Sequence, residues 1–393
     1  MKLFKTNVVL RCVKCGSIYD ADPWLFTCPH CGSLLEVVMP EEASLSWPVG
    51  GCGRRYVWSY RELLPLSNDV EPVSLGEGGT PLIPLNRITQ ALKTRSNAYM
   101  KLEGTNPTGS FKDRGMTVGV TIARYTGVNG VVVASTGNTA ASAAAYSARV
   151  GLKCVVMLPK GGVAKGKVSQ ALLHGAEVVE VDGVFDDALD RVFTDVVLSG
   201  RRTLYPLNSY NPWRLEGQKT IAFEVVEELG RVPDFLIVPV GNAGNISAIW
   251  KGFKELQSYG LIDRTPRMIG VQSEGAAPLV MTWVKHCESL QVVESPRTVA
   301  TAIRIGKPVN WLKALKAVRE SGGTLISVSD NELLESMKTL ARVEGVGVEP
   351  AGAVTLAGYI RAIEEGLISE DDVVLVGTGH ALKDPDTIIK HFT

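Results

Sequence analysis

Short apolar, β-branched runs recur along this chain, each followed by a polar turn and then by a stretch with helical spacing. The pattern predicts strands at 131–134, 154–158, 177–181, 236–240, 268–272, 325–328 and 373–376. Helical stretches fall between them, for example at 331–344 and 351–366. Such alternation predicts an α/β fold with largely parallel sheets. Before it, a short amphipathic segment at 57–64 is stopped by Pro65. No internal repeat or low-complexity stretch breaks the pattern.

Composition sets bounds on this picture. The 393 residues suffice for two sizeable domains, and 45% hydrophobic content supports packed cores. Lys plus Arg equals Asp plus Glu at 41 each, a formal net charge of zero. No global positive field therefore draws nucleic acid or an anionic membrane, and affinity for a small anion must come from local placement. No apolar run approaches the roughly 20 residues that span a bilayer. The opening residues carry no signal-peptide stretch, so the expectation is a soluble, cytoplasmic protein.

Seven cysteines are present, and four fall as Cys12-x-x-Cys15 and Cys28-x-x-Cys31. Each pair forms a knuckle that aims two sulfurs at one point, and two knuckles complete a tetrahedron for structural zinc. Gly16 and Gly32 suit the turns, and His30 is a competing ligand within the second knuckle. A redox dithiol or a disulfide pair is the other reading of the same spacing. Four thiolates leave no open coordination position, so loss of Cys12 is expected to cost stability before catalysis. Segments 40–42 and 47–53 then read as linker.

Three loops carry the candidate chemistry. Lys112 stands in Gly-Ser-Phe-Lys-Asp-Arg-Gly at 109–115, behind a turn-like stretch at 105–109, and opens a predicted helix. Burial and a helix N-terminus both disfavour an ammonium ion there, and a deprotonated lysine can form a Schiff base with an aldehyde cofactor. Ser-Thr-Gly-Asn-Thr at 135–139 joins a strand to a helix, which makes a cradle for a carboxylate. Gly-Asn-Ala-Gly-Asn at 241–245 does the same after another strand, and its glycines let backbone N–H groups approach a phosphate. Asn138, Gly241 to Asn245 and Thr378 all follow strands at their C-terminal ends, where open α/β sheets bind ligands. A lysine, a carboxylate cradle and a phosphate cradle match the needs of pyridoxal phosphate and an amino acid.

The segments at 76–81 (Gly-Glu-Gly-Gly-Thr-Pro), 109–115 and 135–139 resemble those of the fold type II, or β-family, pyridoxal-phosphate enzymes. The segments at 208–219, 238–245, 300–306 and 378–384 narrow the resemblance to the threonine synthase family. It runs from about residue 74 to the C-terminus, in order and with familiar spacing. Two departures stand out: Trp213 where the family often has a smaller or polar residue, and Gly352 where it often has Ser.

The resemblance implies two doubly wound domains with the cofactor in the cleft, joined to the four-cysteine zinc ribbon. The ribbon and linker would take 1–48, a large domain 49–104 and 206–393, and a small mobile domain 105–205. Lys112 would carry the cofactor as a Schiff base and act as catalytic base. Asn138 would bond the ring hydroxyl oxygen, and Gly241, Asn242, Ala243, Gly244 and Asn245 would hold the cofactor phosphate. Thr378 would face the ring nitrogen, where a neutral hydroxyl makes the ring a weaker electron sink than a carboxylate would. Ser135, Thr136 and Thr139 would take the substrate carboxylate, and Asn208, Ser209 and Arg214 its phosphate. An ion pair of Arg214 with Glu216 or Glu224 on a solvated helix is the competing reading, and Lys219 reads as surface charge. The implied reaction converts O-phospho-L-homoserine and water to L-threonine and phosphate in a homodimer. Two alternatives stay open: cysteate synthesis from O-phospho-L-serine and sulfite, and a zinc-ribbon binding protein with an inactive enzyme-like body.

Overall fold

A computed structural model describes residues 2–40, 55–135, 137–160, 165–182, 185–194, 199–200 and 202–392. The linker expected at 40–53 lies almost wholly outside these, as do Cys52 and Thr136. The chain forms two compact units. The first comprises Met1–Gly78, Asn106–Thr108 and Lys112–Gln218, and the second Gly79–Thr105, Gly109–Phe111 and Lys219–Thr393.

The first unit holds two sheets. An antiparallel ribbon is formed by Ile18–Asp20, Val9–Cys12 and Leu35–Val38, in that order. A parallel sheet is formed by Glu177–Val181, Lys153–Pro159, Gly130–Ala134 and Leu204–Pro206. Its central strand, Gly130–Ala134, is buried along its whole length, as an apolar run covered on both faces must be. The ribbon packs into this unit, and so do residues 206–218. Aromatic side chains of the N-terminal segment meet those of 205–213 there.

Helices Lys112–Tyr125 and Pro212–Gln218 of this unit lie backbone against backbone. A Cβ on Gly217 would stand 1.7 Å from the carbonyl oxygen of Arg114, and one on Gly115 would stand 2.9 Å from that of Arg214. Glycine is required at this crossing because no side chain fits between the two helices.

The second unit is built on a six-stranded sheet in the order Thr324–Val328, Arg267–Ser273, Phe235–Pro239, Asp372–Gly377, Asn97–Leu102, Leu82–Pro84. All neighbours are parallel except the last pair. Its core gathers residues such as Ile237, Val271, Leu356 and Leu375. All seven strands predicted from the apolar runs are present, within one residue at each end. Asn97–Leu102 went unpredicted because it contains Lys101. That lysine is fully buried and pairs with Glu224, at 2.9 Å, and with Glu228. Lys219 is likewise no surface charge: it is fully buried and pairs with Glu255 at 2.6 Å.

Candidate active site

In the first unit, Lys112 is the first residue of its helix and is half-buried. Its neighbour Asp113 is fully buried. The Asp113 carboxylate accepts from Thr108 N (2.7 Å), Thr108 Oγ1 (2.6 Å) and Ser142 Oγ (2.5 Å). These bonds tie the turn before Lys112 to the start of the helix. Burial raises the Asp113 carboxyl to about 6, against the pull of the three donors and with Glu77 adding repulsion. Sequence reasoning singled out Lys112 in this run and missed this brace. Glu77 is also buried and accepts from Tyr146 at 2.6 Å and from Ser74 at 3.0 Å.

Asn138 is the first residue of helix Asn138–Arg149 and is buried, while Ser135 and Thr139 are half-buried around it. Asn208 braces the strand that leads there. Its Oδ1 accepts from Ala134 N and its Nδ2 donates to Ala134 O, both at 2.9 Å. Asn208 thus fixes the end of the Gly130–Ala134 strand and keeps one amide hydrogen for other use. Ser209 is half-buried in the turn that follows.

Arg214 sits in helix Pro212–Gln218, every residue of which is buried. Asn211 Oδ1 caps that helix by accepting from Trp213 N at 3.0 Å. The solvated-helix reading is therefore overturned. Glu224 is engaged by Lys101, and Arg214 Nε meets no hydrogen-bond partner among the described residues. Burial lowers the guanidinium to about 10, with the Tyr210 hydroxyl opposing. Trp213 is fully buried and stacks on Phe4, with ring centroids 4.1 Å apart.

In the second unit, the loop at 241–245 joins strand Phe235–Pro239 to helix Gly244–Ser258. Ala243 has φ of 61°, a left-handed conformation that turns successive N–H groups the same way. A Cβ on Gly241 would stand 2.9 Å from Ile303 Cα, so only glycine fits. Asn242 fixes the loop by accepting from Val309 N through Oδ1 at 2.9 Å. Asn245 is buried, and neither polar atom of its side chain has a partner among the described residues.

Thr378 follows strand Asp372–Gly377 and is buried. Its hydroxyl donates to Glu349 Oε1 at 3.1 Å, a partner that the sequence reading missed. A Cβ on Gly352 would stand 3.1 Å from Thr378 N, a tight contact that a shift of a few tenths of an ångström would relieve. Phe111 N donates to Thr378 O, and His380 N donates to Gly109 O. The run ending at Phe111, one peptide bond before Lys112, is thereby pinned to the end of the Thr378 strand. The exposed His380 side chain accepts from Leu382 N and caps a short helical turn, a structural role.

The four ribbon sulfurs of Cys12, Cys15, Cys28 and Cys31 lie within 4.8 Å of one another. Hydrogen bonding by Ser17 holds the Cys15 thiol down to about 5, ready to act as a thiolate ligand. His30 lies outside this quartet. Cys154 is buried in a strand and burial pushes its thiol up to about 12, as an inert core residue requires.

The family model described as "Pyridoxal-phosphate dependent enzyme" matches residues 73–379. Threonine synthase of Methanocaldococcus jannaschii is 52% identical, over 97% of this chain and 94% of its own. Threonine synthases of Methanosarcina acetivorans and Mycobacterium bovis are 49% and 47% identical, over 97% and 90% of this chain and 93% of each relative. The chain belongs to the threonine synthase family of pyridoxal-phosphate-dependent enzymes. Solved structures of a threonine deaminase from Solanum lycopersicum and of maize serine racemase share the fold of this threonine synthase family member. Their TM-scores are 0.67 and 0.63, at 21% identity each; the first covers 90% of this chain and 92% of its own, the second 80% and 92%. That fold is type II.

The residues present fit the cofactor. The 241–245 loop offers helix-start amides and the unpartnered Asn245 side chain to a phosphate, and Lys112 supplies a half-buried amine at the first position of its helix, the group an aldehyde cofactor needs. The four close sulfurs equally fit a tetrahedral zinc ion. Among the described residues, no helix is long and apolar enough to cross a membrane.

Proposed function

We propose that this threonine synthase family member converts O-phospho-L-homoserine and water to L-threonine and phosphate. The observation that carries the substrate assignment is Arg214: a buried guanidinium whose Nε has no partner among the described residues suits a phosphate dianion. When bound, pyridoxal phosphate supplies an aldehyde for the substrate amine and draws electrons from the adjoining carbons. Lys112 holds the cofactor and then moves protons at the substrate α and β carbons. Gly241, Asn242, Ala243, Gly244 and Asn245 grip the cofactor phosphate through their amides. Asn138 faces the ring hydroxyl, and Thr378, steadied by Glu349, faces the ring nitrogen.

Ser135, Thr136 and Thr139 receive the substrate carboxylate. Arg214, with Ser209 and the remaining amide hydrogen of Asn208, binds the substrate phosphate and stabilises it as it leaves the γ carbon. Water then adds at the β carbon. The same reading takes the enzyme to be a cytoplasmic homodimer that engages neither nucleic acid nor membrane.

The test is phosphate release from purified protein loaded with pyridoxal phosphate. O-phospho-L-homoserine alone is expected to yield threonine, and Lys112→Ala to remove both turnover and the cofactor's Schiff-base absorbance. Cysteate from O-phospho-L-serine and sulfite, with no threonine from the first substrate, would overturn the substrate assignment.

A further inference from the structure

Two sets of aromatic contacts within the first unit join the N-terminal segment to the Arg214 helix and the residues that lead into it. Phe26 stands two residues before Cys28 and is 1% exposed. The knuckle holds it: Leu35 N donates to Phe26 O, and Cys28 N donates to Ser33 O at 2.7 Å. Its ring meets Tyr205 and Tyr210 edge-on, at centroid distances of 5.8 and 6.0 Å. Trp24 meets Tyr205 at 5.2 Å, and the Tyr205 hydroxyl donates to Pro23 O at 2.9 Å. Phe4 adds the stack on Trp213.

Every residue on the receiving side lies just before Arg214 or beside it. Trp213 is its chain neighbour, and Tyr210 is the residue whose hydroxyl bears on its charge. Neither Trp213 Nε1 nor the Tyr210 hydroxyl has a hydrogen-bond partner among the described residues. Packing rather than polar bonding therefore orients the two rings: Phe4 holds Trp213, while Phe26 and Phe193 hold Tyr210. The same helix is fixed from another side by the backbone contacts of Gly115 and Gly217 with the Lys112 helix. The Arg214 helix thus has two walls, one carrying the catalytic lysine and one made by the ribbon.

We infer that the four-cysteine ribbon positions Arg214, with Phe4 and Phe26 as positioning residues, so that metal loading of the ribbon sets affinity for the substrate phosphate. This also accounts for Trp213, the family departure: its large ring is the surface on which Phe4 stacks. The inference rests on the reading of Arg214 as the phosphate ligand.

The test measures inorganic phosphate binding by calorimetry, together with KM and kcat for O-phospho-L-homoserine. Phe4→Leu and Phe26→Leu are each expected to weaken phosphate binding about tenfold and to raise KM alike. Extraction of the metal with a chelator is expected to do the same. The change in kcat stays within about twofold and the cofactor absorbance is unchanged, because Lys112 belongs to the other wall. Phe4→Tyr, which keeps the ring, restores affinity.

In an Arg214→Gln background the ribbon substitutions are expected to add nothing, since both act through one guanidinium. If they lower the melting temperature but leave phosphate affinity intact, or weaken binding equally without Arg214, the ribbon only stabilises the fold and the inference fails. If Arg214→Gln itself leaves phosphate affinity intact, the reading of Arg214 fails and the inference with it. Should the leucine variants not fold, Tyr205→Phe removes the bonds of that hydroxyl to Pro23 and to the Asn211 side chain and is expected to weaken binding about threefold.

Discussion

The loop at 241–245 and the helix at 212–218, the two anion sites proposed above, are built from opposite materials. The loop uses backbone: helix-start amides, one left-handed alanine and a glycine that admits no side chain. The helix carries a buried side-chain cation, Arg214. Backbone amides carry no net charge and need no counter-ion, so the loop is stable as it stands. A buried guanidinium must be desolvated by its surroundings, and burial already lowers it to about 10. The loop's donors are thus its own backbone, braced by Ile303 and Val309, whereas the inferred Arg214 site rests on a side chain whose surroundings include residues far away in sequence.

Substitutions should separate these two designs. The largest effect is expected for Arg214→Gln, which removes the charge on which its site is built. It should lower kcat/KM by about a hundredfold or more, mainly through KM, and Arg214→Lys should recover little because a point charge does not replace the planar fork. A Gln variant with normal KM would dissolve the contrast.

Gly241→Ala comes next. Its Cβ would meet Ile303 Cα, which is backbone and cannot swing aside, so cofactor affinity should fall about tenfold while phosphate binding at Arg214 is kept. Spectrophotometric titration with pyridoxal phosphate reads this directly.

Asp113 gives a smaller, pH-dependent effect. Its folded-state carboxyl is raised, so the native state holds the proton more tightly than the unfolded chain does. Stability from this group is full below its ordinary value of 3.8 and is lost as pH rises to about 6. The loss is at most about 3 kcal/mol. Denaturant melts across that window should show the slope in the parent protein and lose it in Asp113→Asn.

The smallest effect belongs to His380→Ala. This exposed residue caps one short turn, so kcat should change less than about threefold. A hundredfold loss would return His380 to the catalytic set.

The seven strands found from apolar runs were legible because short β-branched runs favour extended backbone, and central ones such as Gly130–Ala134 and Phe235–Pro239 are buried on both faces. The ribbon was legible for a similar reason: knuckle spacing alone brings two sulfurs together. Asn97–Leu102 was not, since its buried Lys101 is tolerable only beside Glu224 and Glu228, more than a hundred positions away. The Glu349 partner of Thr378 and the Asp113 brace were also hidden, because a carboxylate in a sequence does not show which donors will surround it.

By itself the sequence determined the alternating α/β order, the glycine loop and lysine motif of the family, and the four-cysteine ribbon, all of them set by neighbours along the chain. Only the tertiary structure decided that Lys101, Lys219 and Arg214 are buried, that the ribbon packs with residues 205–213, and that Trp213 is a packing surface. The physical reason is desolvation: whether a charge is a solvated surface group or a binding site depends on which distant side chains exclude water from it, and spacing along the chain does not carry that information.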